Sequence, residues 1–393
     1  MVLLAIIVTG LIADIYLAVA PSLLGAMVDY QGISPRLSGQ LISYNFFGSG
    51  LGTLLAPVAL SRSNWNIRLT MLAALGTVSV TSVLSVWLVG SNSALSLVRF
   101  LSGLGTGVGF TAACVALVGL PNVERWYAIL YGSPFVVGGV GIALLPSVYV
   151  SVGVTGAFYG IAALCLAACA LLPWFPRHIG EADRQSAPAP GQLSGAGWLA
   201  SGLLLSAFFL HYVFNSGIWT YFERLGVSFG MTPEYTGAVL GPGMAAGIIG
   251  MLLASWLGNR MAPVRAITAG TLVIFATTAL LLAEPSGLAF ALVAALFNAS
   301  IPFVTPYFVG PLSRLVPRGL GVMAANAALM LGFASGPMLV SLTISGDEFT
   351  GAILLTLAGF LAVLVLTGLF AVVASARGLL AREAAGTPAA SAP

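Results

Sequence analysis

The stretch that decides the fold is residues 94–120, ALSLVRFLSGLGTGVGFTAACVALVGL, a run of apolar and small residues with one charge, Arg99. About 20 apolar residues suffice for an α-helix to cross the hydrocarbon core of a bilayer, so this run predicts a transmembrane helix. Similar runs fill the chain: 59% of its 393 residues are hydrophobic and 6% are charged, whereas soluble domains carry about 25% charged residues. The sequence therefore predicts a polytopic all-α membrane protein.

Glycine, proline, asparagine and the few charges divide the chain into twelve predicted spans, six on each side of one polar stretch. The spans lie near residues 3–28, 37–60, 69–90, 94–120, 126–150, 153–175, 198–222, 233–257, 264–283, 286–312, 319–343 and 349–375. The predicted domains are an N-terminal six-helix bundle (1–175), a cytoplasmic linker (176–196), a C-terminal six-helix bundle (197–376) and a disordered, Ala- and Pro-rich cytoplasmic tail (377–393).

The arginines predict the orientation of these spans. If the N-terminus is cytoplasmic, eleven of the 14 arginines fall in cytoplasmic loops or in the tail, and only Arg36 and Arg224 lie in loops on the other side. Such a bias follows the positive-inside rule. We therefore expect a multi-pass protein of the cell membrane, specifically a bacterial inner membrane, with both termini in the cytoplasm.

The chain contains no lysine, and this excludes two kinds of chemistry. A phosphate-binding G-x-x-x-x-G-K-[ST] loop cannot form, nor can a Schiff base on lysine. No metal-ligand or catalytic constellation is present in the sequence, so we expect no enzyme activity, no metal and no cofactor. The net charge of +3 gives no reason to expect nucleic acid as a partner.

The two halves repeat each other. Arg125 and Arg318 each open the fifth helix of a half, and fourteen residues later stand Gly139 and Gly332. Internal repeats of this kind are typical of secondary transporters, whose binding sites lie near the midplane between the repeats.

Two segments resemble the major facilitator superfamily. Residues 99–107, RFLSGLGTG, are similar to its R-x-x-x-G-x-G motif in the fourth helix. Residues 14–21, DIYLAVAP, resemble the D-M-Y-L-P-A-L-P segment of bicyclomycin-resistance-like members of the drug:proton antiporter branch, with Ala18 replacing the inner proline. The resemblance implies two pseudo-symmetric six-helix bundles and, for that branch, efflux by proton antiport.

The loops that gate this superfamily depart from its pattern. After the second helix of a half it normally reads G-x-x-x-D-R-x-G-R-[RK], with an aspartate that helps to close the inward gate. Here the gating positions are Ser61 and Arg62 in the first half and Asn259 and Arg260 in the second. The superfamily's antiporter signature in the fifth helix is also degraded. A non-transporting sensor or scaffold with the same fold therefore remains an alternative.

Asp14 and Arg99 are charges placed deep within predicted spans, where an ionisable group is a functional hypothesis by default. The first and fourth helices of a half both border the central cavity in the superfamily fold, so we expect the two groups to meet. Asp14 would bind and release a proton, and Arg99 would favour its charged form when near. The alternative is a static ion pair, although a buried pair is poor evidence for stability.

The seventh helix carries His211, Asn215 and Trp219 at spacings of four, on one helical face. We expect this stripe to line the central cavity, with His211 as a second proton site. The alternative is a neutral histidine that is hydrogen-bonded across helices. The other predicted cavity residues are Tyr16, Gln40, Tyr44, Tyr131, Asn298, Thr305 and Asn326. A packing kink alone would equally explain the prolines beside Asn298 and Thr305.

Together these features predict a proton-coupled secondary transporter of a small organic solute. The solute, protons and the lipid bilayer are the expected partners, and we expect a monomer. Because Arg99 is the only basic residue placed to face the cavity, highly charged anions are disfavoured as substrates. Amide and aromatic candidates favour neutral, amphipathic, aromatic or weakly cationic solutes. Metabolite uptake by symport or uniport is the transport alternative.

Overall fold

A computed structural model describes residues 1–60, 66–117, 120, 123–177, 195–316, 320–346 and 348–376, and they are almost entirely helical. The α-helices are α1 (Val2–Ala13), α2 (Ile15–Ala18), α3 (Ala20–Gln31), α4 (Pro35–Leu60), α5 (Ile67–Trp87), α6 (Asn92–Leu117), α7 (Val123–Cys169), α8 (Gly195–Thr220), α9 (Phe222–Ser228), α10 (Pro233–Ala245), α11 (Gly247–Leu257), α12 (Pro263–Leu280), α13 (Gly287–Leu315), α14 (Leu320–Ser341) and α15 (Thr350–Ala376). Most of the predicted linker and the whole predicted tail lie outside the described residues.

The described helices make twelve crossings, as predicted. Nine helical segments within the described residues are long and apolar enough to cross a membrane, and one of them, α7, is 47 residues long and supplies two crossings. The consecutive helices α1 to α3 form the first crossing and α4 the second. An even number of crossings places the start of α1 and the end of α15 on one side of the protein, which we call the terminal face. The opposite side, where α3 ends and α9 lies, is called the latch face.

The first crossing is not the single helix that was predicted. The backbone leaves α-helical geometry at Asp14 (φ −94°, ψ 8°) and at Val19 (φ −109°, ψ 13°). Pro21 accounts for the second break, because it has no N–H to bond Leu17 and its ring crowds that carbonyl. The first crossing therefore consists of three short helices, with Asp14 at the junction of the first two.

The fifth and sixth crossings are joined without a loop. Gly153 has φ 67° and ψ 174°, and the helical residues continue directly on either side of it. Positive φ is a conformation that glycine adopts without the steric cost of a Cβ. A single glycine thus replaces the connection expected between residues 150 and 153.

Glycines bring the helices of each half into backbone contact. A Cβ on Gly103 of α6 would overlap the backbone oxygen of Asn45 on α4, and a Cβ on Gly250 of α11 would overlap that of Ala299 on α13. These two helix pairs occupy equivalent places in the two halves. Small residues at such crossings are the usual means by which membrane helices approach closely.

The halves meet along two further helix pairs, α4 with α14 and α7 with α10. The rings of Phe46 and Phe333 lie 5.4 Å apart in the first pair. In the second pair a Cβ on Gly139 would lie 2.6 Å from the backbone oxygen of Gly241. The interface between the halves is therefore lined by close-packed side chains and by backbone.

Candidate functional site

The guanidinium of Arg99 is buried in the first half without a hydrogen-bonding partner among the described residues. Arg99 lies on α6 and is 2% exposed, and none of its three guanidinium nitrogens bonds to a described residue. The guanidinium carbon lies 4.5 Å from the centre of the Tyr16 ring and 5.2 Å from that of Phe158. Tyr16 is itself held by a 2.6 Å hydrogen bond between its hydroxyl and that of Ser82. The structure therefore brings Arg99 and the predicted cavity residue Tyr16 together.

Asp14 and Arg99 do not form the ion pair that was predicted, because Asp14 points the other way. Tyr16, two positions further along, lies against Arg99, whereas Asp14 lies near Cys114 and Tyr131. Ala13 packs against Gly109 of α6, ten residues beyond Arg99 and so about 15 Å further along that helix. Asp14 is partly exposed, and its carboxyl group has no hydrogen bond or ion pair with any described residue.

The neighbours of Asp14 are Cys114 and a group of aromatic residues, of which the sequence analysis predicted only Tyr131. Cys114 and Tyr131 lie close enough to interact electrostatically with its carboxyl group. Around them, the rings of Phe110 and Tyr131 are 5.2 Å apart, and those of Tyr127 and Tyr131 are stacked at 6.3 Å. Tyr131 is 51% exposed, so this cluster is open to its surroundings. The spacing of four between Tyr127 and Tyr131 was the signal that could have found it.

The predicted stripe of His211, Asn215 and Trp219 lies on α8, which forms the seventh crossing. It does not line an open cavity in this structure. His211 is fully buried, and Asn215 and Trp219 are 1% and 7% exposed. The His211 ring is surrounded by Tyr212, Phe308 and Phe360 at 5.7 to 6.0 Å, and neither ring nitrogen has a hydrogen-bond partner among the described residues. The expected exposure was wrong for this conformation, because this face of α8 packs against α13 and α15.

The remaining predicted cavity residues differ in how exposed they are in the structure. Gln40, Tyr44 and Thr305 are partly exposed, and Asn326 is exposed. Thr305 is also hydrogen-bonded to the Tyr212 hydroxyl at 2.7 Å. Asn298 is buried and donates to the backbone oxygen of Ala294 on its own helix, so it points into the packing of the second half.

A charged cluster closes the latch face, and sequence reasoning missed it. Arg224 donates to both carboxylate oxygens of Asp29 at 2.7 Å, and to both oxygens of Glu223 at 2.6 and 2.7 Å. Asp29 belongs to the first half and Arg224 to the second, so this cluster, the latch, joins the halves. Gly25 makes room for the Glu223 carboxylate, and Gly39 makes room for the Tyr221 hydroxyl.

The structure describes the gating loop of the second half but not the gating positions of the first half. Ser61 and Arg62 lie outside the described residues. The backbone of Asn259 belongs to a short 3-10 helix, Gly258–Arg260. Arg260 is exposed, and its guanidinium lies 5.6 Å from the Trp256 ring.

Comparison with known proteins identifies the class. The family model described as Major Facilitator Superfamily matches residues 2–337. This match covers most of the chain, and the chain belongs to that superfamily.

Solved structures with the same fold support this assignment. They include the nucleoside transporter NupG (TM-score 0.68, 13% identity, 95% of this chain and 98% of that chain covered) and a D-xylose-proton symporter (TM-score 0.71, 13% identity, 93% and 96% covered). A bacterial homolog of the human lysosomal transporter Spinster, solved in an inward-facing conformation, also matches (TM-score 0.66, 13% identity, 95% and 96% covered). A search of curated proteins found no match. The fold and family are those of membrane transporters.

Proposed function

We propose that this chain is a secondary active transporter that moves a small organic solute in exchange for protons, by alternating access between its two halves. The terminal face is assigned to the cytoplasm on the basis of the arginine distribution. The observation that carries the proposal is the position of Asp14: a carboxyl group in the first crossing, partly exposed, and without a partner among the described residues.

The contacts between the halves support alternating access. The latch joins them at the latch face. The helices α7 and α10 are also in contact at two points: Gly237 packs beside Pro146, and Gly139 packs beside Gly241. Tyr131, nearer the terminal face, is half exposed. We interpret this conformation as inward-facing, with the latch face closed and Asp14 reached from the terminal face.

Proton coupling through Asp14 requires its environment to differ between two conformations. A proton that binds both conformations equally shifts nothing. Low dielectric disfavours the charged form of a carboxyl group, whereas water or a cation favours it. The helix breaks at Asp14 and Val19 allow the first crossing to change shape at this residue. Closing the terminal face around the aromatic cluster would then favour the protonated form, and opening it would favour release.

The aromatic cluster also indicates the class of solute. Phe110, Tyr127 and Tyr131 form a cluster of rings, and Tyr131 lies beside the Asp14 carboxyl group. Rings of this kind bind flat apolar groups and attract cations. We therefore propose a neutral, amphipathic, aromatic or weakly cationic solute, carried outward. The alternative is proton-coupled uptake, which is favoured by the likeness in fold to a D-xylose-proton symporter.

Transport assays in proteoliposomes with an imposed pH gradient test the proposal. A panel of such solutes is offered to the wild-type protein, and accumulation against the gradient of the solute is measured. Asp14→Asn should abolish accumulation and leave downhill exchange measurable. Glu284→Gln, which alters an exposed acid at the end of a helix, is the matched control and should accumulate solute normally.

Two outcomes would contradict the proposal. If Asp14→Asn accumulates solute as well as the wild type, Asp14 is structural and coupling lies elsewhere. If the wild type moves no solute in either direction, the sensor or scaffold interpretation gains support. If solute moves in the same direction as the protons rather than against them, the proposed efflux is replaced by proton-coupled uptake. The proposed role of Asp14 would then be unchanged.

A further inference from the structure

The guanidinium of Arg99 carries a buried positive charge that no described residue neutralises. An arginine does not lose its proton inside a protein, and an unpaired buried charge is strongly unfavourable. The rings of Tyr16 and Phe158 offset part of this cost through cation–π contacts, but they bind the flat face of the group. The N–H donors around its edge remain unused.

The carboxyl groups of the neighbourhood are committed elsewhere. Asp14 points to the other side of the first crossing. Asp29 and Glu223, the acids of the latch, are both held by Arg224 in short bidentate contacts. The positive charge of Arg99 therefore needs a partner that is not a described side chain.

Beside Arg99 lies a small cavity with room for about one water-sized species. Asn45 is one of the residues that line it. The side-chain oxygen of Asn45 has no hydrogen-bond partner among the described residues, and its amide nitrogen donates to the Arg99 backbone oxygen at 3.1 Å. The rest of the wall is mostly apolar and includes Leu41, Ile42 and Phe46. Water could satisfy some of these donors, but it would not neutralise the charge.

We propose that this cavity is a binding site for a small monovalent anion, held by the N–H groups of Arg99. An anion of this kind is either an inorganic halide such as chloride or the smallest carboxylate, formate. Apolar walls favour weakly hydrated ions over strongly hydrated ones, and the small volume excludes large anions. This site is distinct from the Asp14 site and does not depend on the proposed transport activity.

The unfolding temperature of the purified full-length protein tests the proposal directly. A ligand that binds the native state raises it in a concentration-dependent manner. At constant ionic strength, isethionate, which is too large for the cavity, is replaced stepwise by chloride, bromide or formate. A saturable rise of a few degrees is expected with a small anion. A rise with chloride and bromide alone identifies a halide site, and a rise with formate as well identifies a site that also takes the smallest carboxylate. No rise with any of the three overturns the proposal.

Two variants locate the site, with a matched control. Arg99→Gln should reduce the rise in unfolding temperature that a small anion produces at least tenfold. Arg125→Gln, which removes an exposed arginine that also lies over an aromatic ring, Trp126, should respond as the wild type does.

Arg99→Gln removes a large buried side chain and could unfold the protein, so Asn45→Asp provides the second test. The new carboxylate stands in the same cavity and should pair with Arg99. We expect this variant to unfold at or above the temperature of the anion-bound wild type, in buffer without small anions, and to show no further response to them. An anion response in Asn45→Asp equal to that of the wild type would overturn the proposal.

Discussion

The latch predicts that Asp29→Asn favours opening of the latch face. In the wild type Arg224 is bound by two carboxylates, and only one of them, Asp29, belongs to the other half. The variant leaves Glu223 paired with Arg224, so no guanidinium is left without a partner and the second half keeps its fold. The loss falls on the contact between the halves, which exists only when the latch face is closed.

The size of the effect follows from the geometry. Two hydrogen bonds of 2.7 Å to a charged group are lost or weakened, and such bonds contribute about 1.5–3 kcal/mol each. Asp29 is 33% exposed on its side chain, so water and salt screen the pair and an amide retains part of one bond. We take about 1.5–3 kcal/mol for the pair as a whole. The ratio of open to closed latch should rise roughly 10- to 150-fold, since about 1.4 kcal/mol corresponds to a factor of ten.

Labelling of a single cysteine measures this ratio. Ser22 is 2% exposed and lines the cavity beside Asp29 and Glu223. In a background without the three native cysteines, Ser22→Cys should react slowly with a membrane-impermeant maleimide in the parent protein. It should react roughly 10- to 150-fold faster with Asp29→Asn, in proportion to the population of the open latch. Glu284→Gln is the control and should leave the rate unchanged. Equal rates in parent and Asp29→Asn would refute the reasoning, and a similar acceleration by Glu284→Gln would assign the effect to surface charge.

Three further expectations follow. Ser91→Cys, in the connection between α5 and α6, should be labelled by an impermeant reagent added outside intact cells; labelling only after lysis would reverse the proposed orientation. Phe209→Cys should react with a hydrophilic thiol reagent faster than His211→Cys, because Phe209 is partly exposed and His211 fully buried; the opposite order would restore the stripe as part of the open pathway. Gly103→Ala should lower the unfolding temperature, since overpacking costs about 1–3 kcal/mol, whereas Gly76→Ala, with open space at its Cβ position, should not lower it.

The crossings could be predicted because they depend on local properties. Each apolar run must span a bilayer of fixed thickness, and lipid offers no partner for unpaired backbone groups. Run length and hydropathy therefore determine the crossing count without knowledge of packing. Shape within a crossing was harder to predict. The break at Val19 could have been read from Pro21, but the loop-free turn at Gly153 depends on how two long helices pack.

The pairing of Asp14 with Arg99 failed for a reason that the sequence partly contained. Asp14 and Tyr16 stand two residues apart, so both cannot face the same neighbour on a regular helix. Both were nevertheless assigned to the central cavity. Which of them faces Arg99 depends on the rotation of the first crossing, and that rotation is fixed by contacts such as Ala13 against Gly109. Contacts of this kind are not visible from one sequence.

The latch and the His211 stripe show the same limit. The spacing of His211, Asn215 and Trp219 correctly places them on one face, and lipid requires that face to contact protein or water. The interior of a bundle meets that requirement as well as a cavity does. The latch joins Asp29 and Arg224, 195 residues apart in sequence. In the sequence these appear as two unrelated loop charges, because only the fold brings them together.

The two halves differ in what they contribute. The first half contains Asp14 and Arg99, two ionisable groups without an ion-pair partner among the described residues. In the second half, α8, the counterpart of the first crossing, carries His211 enclosed by aromatic rings. A proton or an anion bound at these groups would therefore act first on the first half, while the relative position of the halves is set by Arg224 and by the close-packed pairs α4 with α14 and α7 with α10. A ligand shifts a conformational equilibrium only by its difference in affinity for the two states. For Asp14 to drive transport, its protonation must reach those interfaces through the first crossing, whose third helix, α3, ends beside Asp29 at the latch.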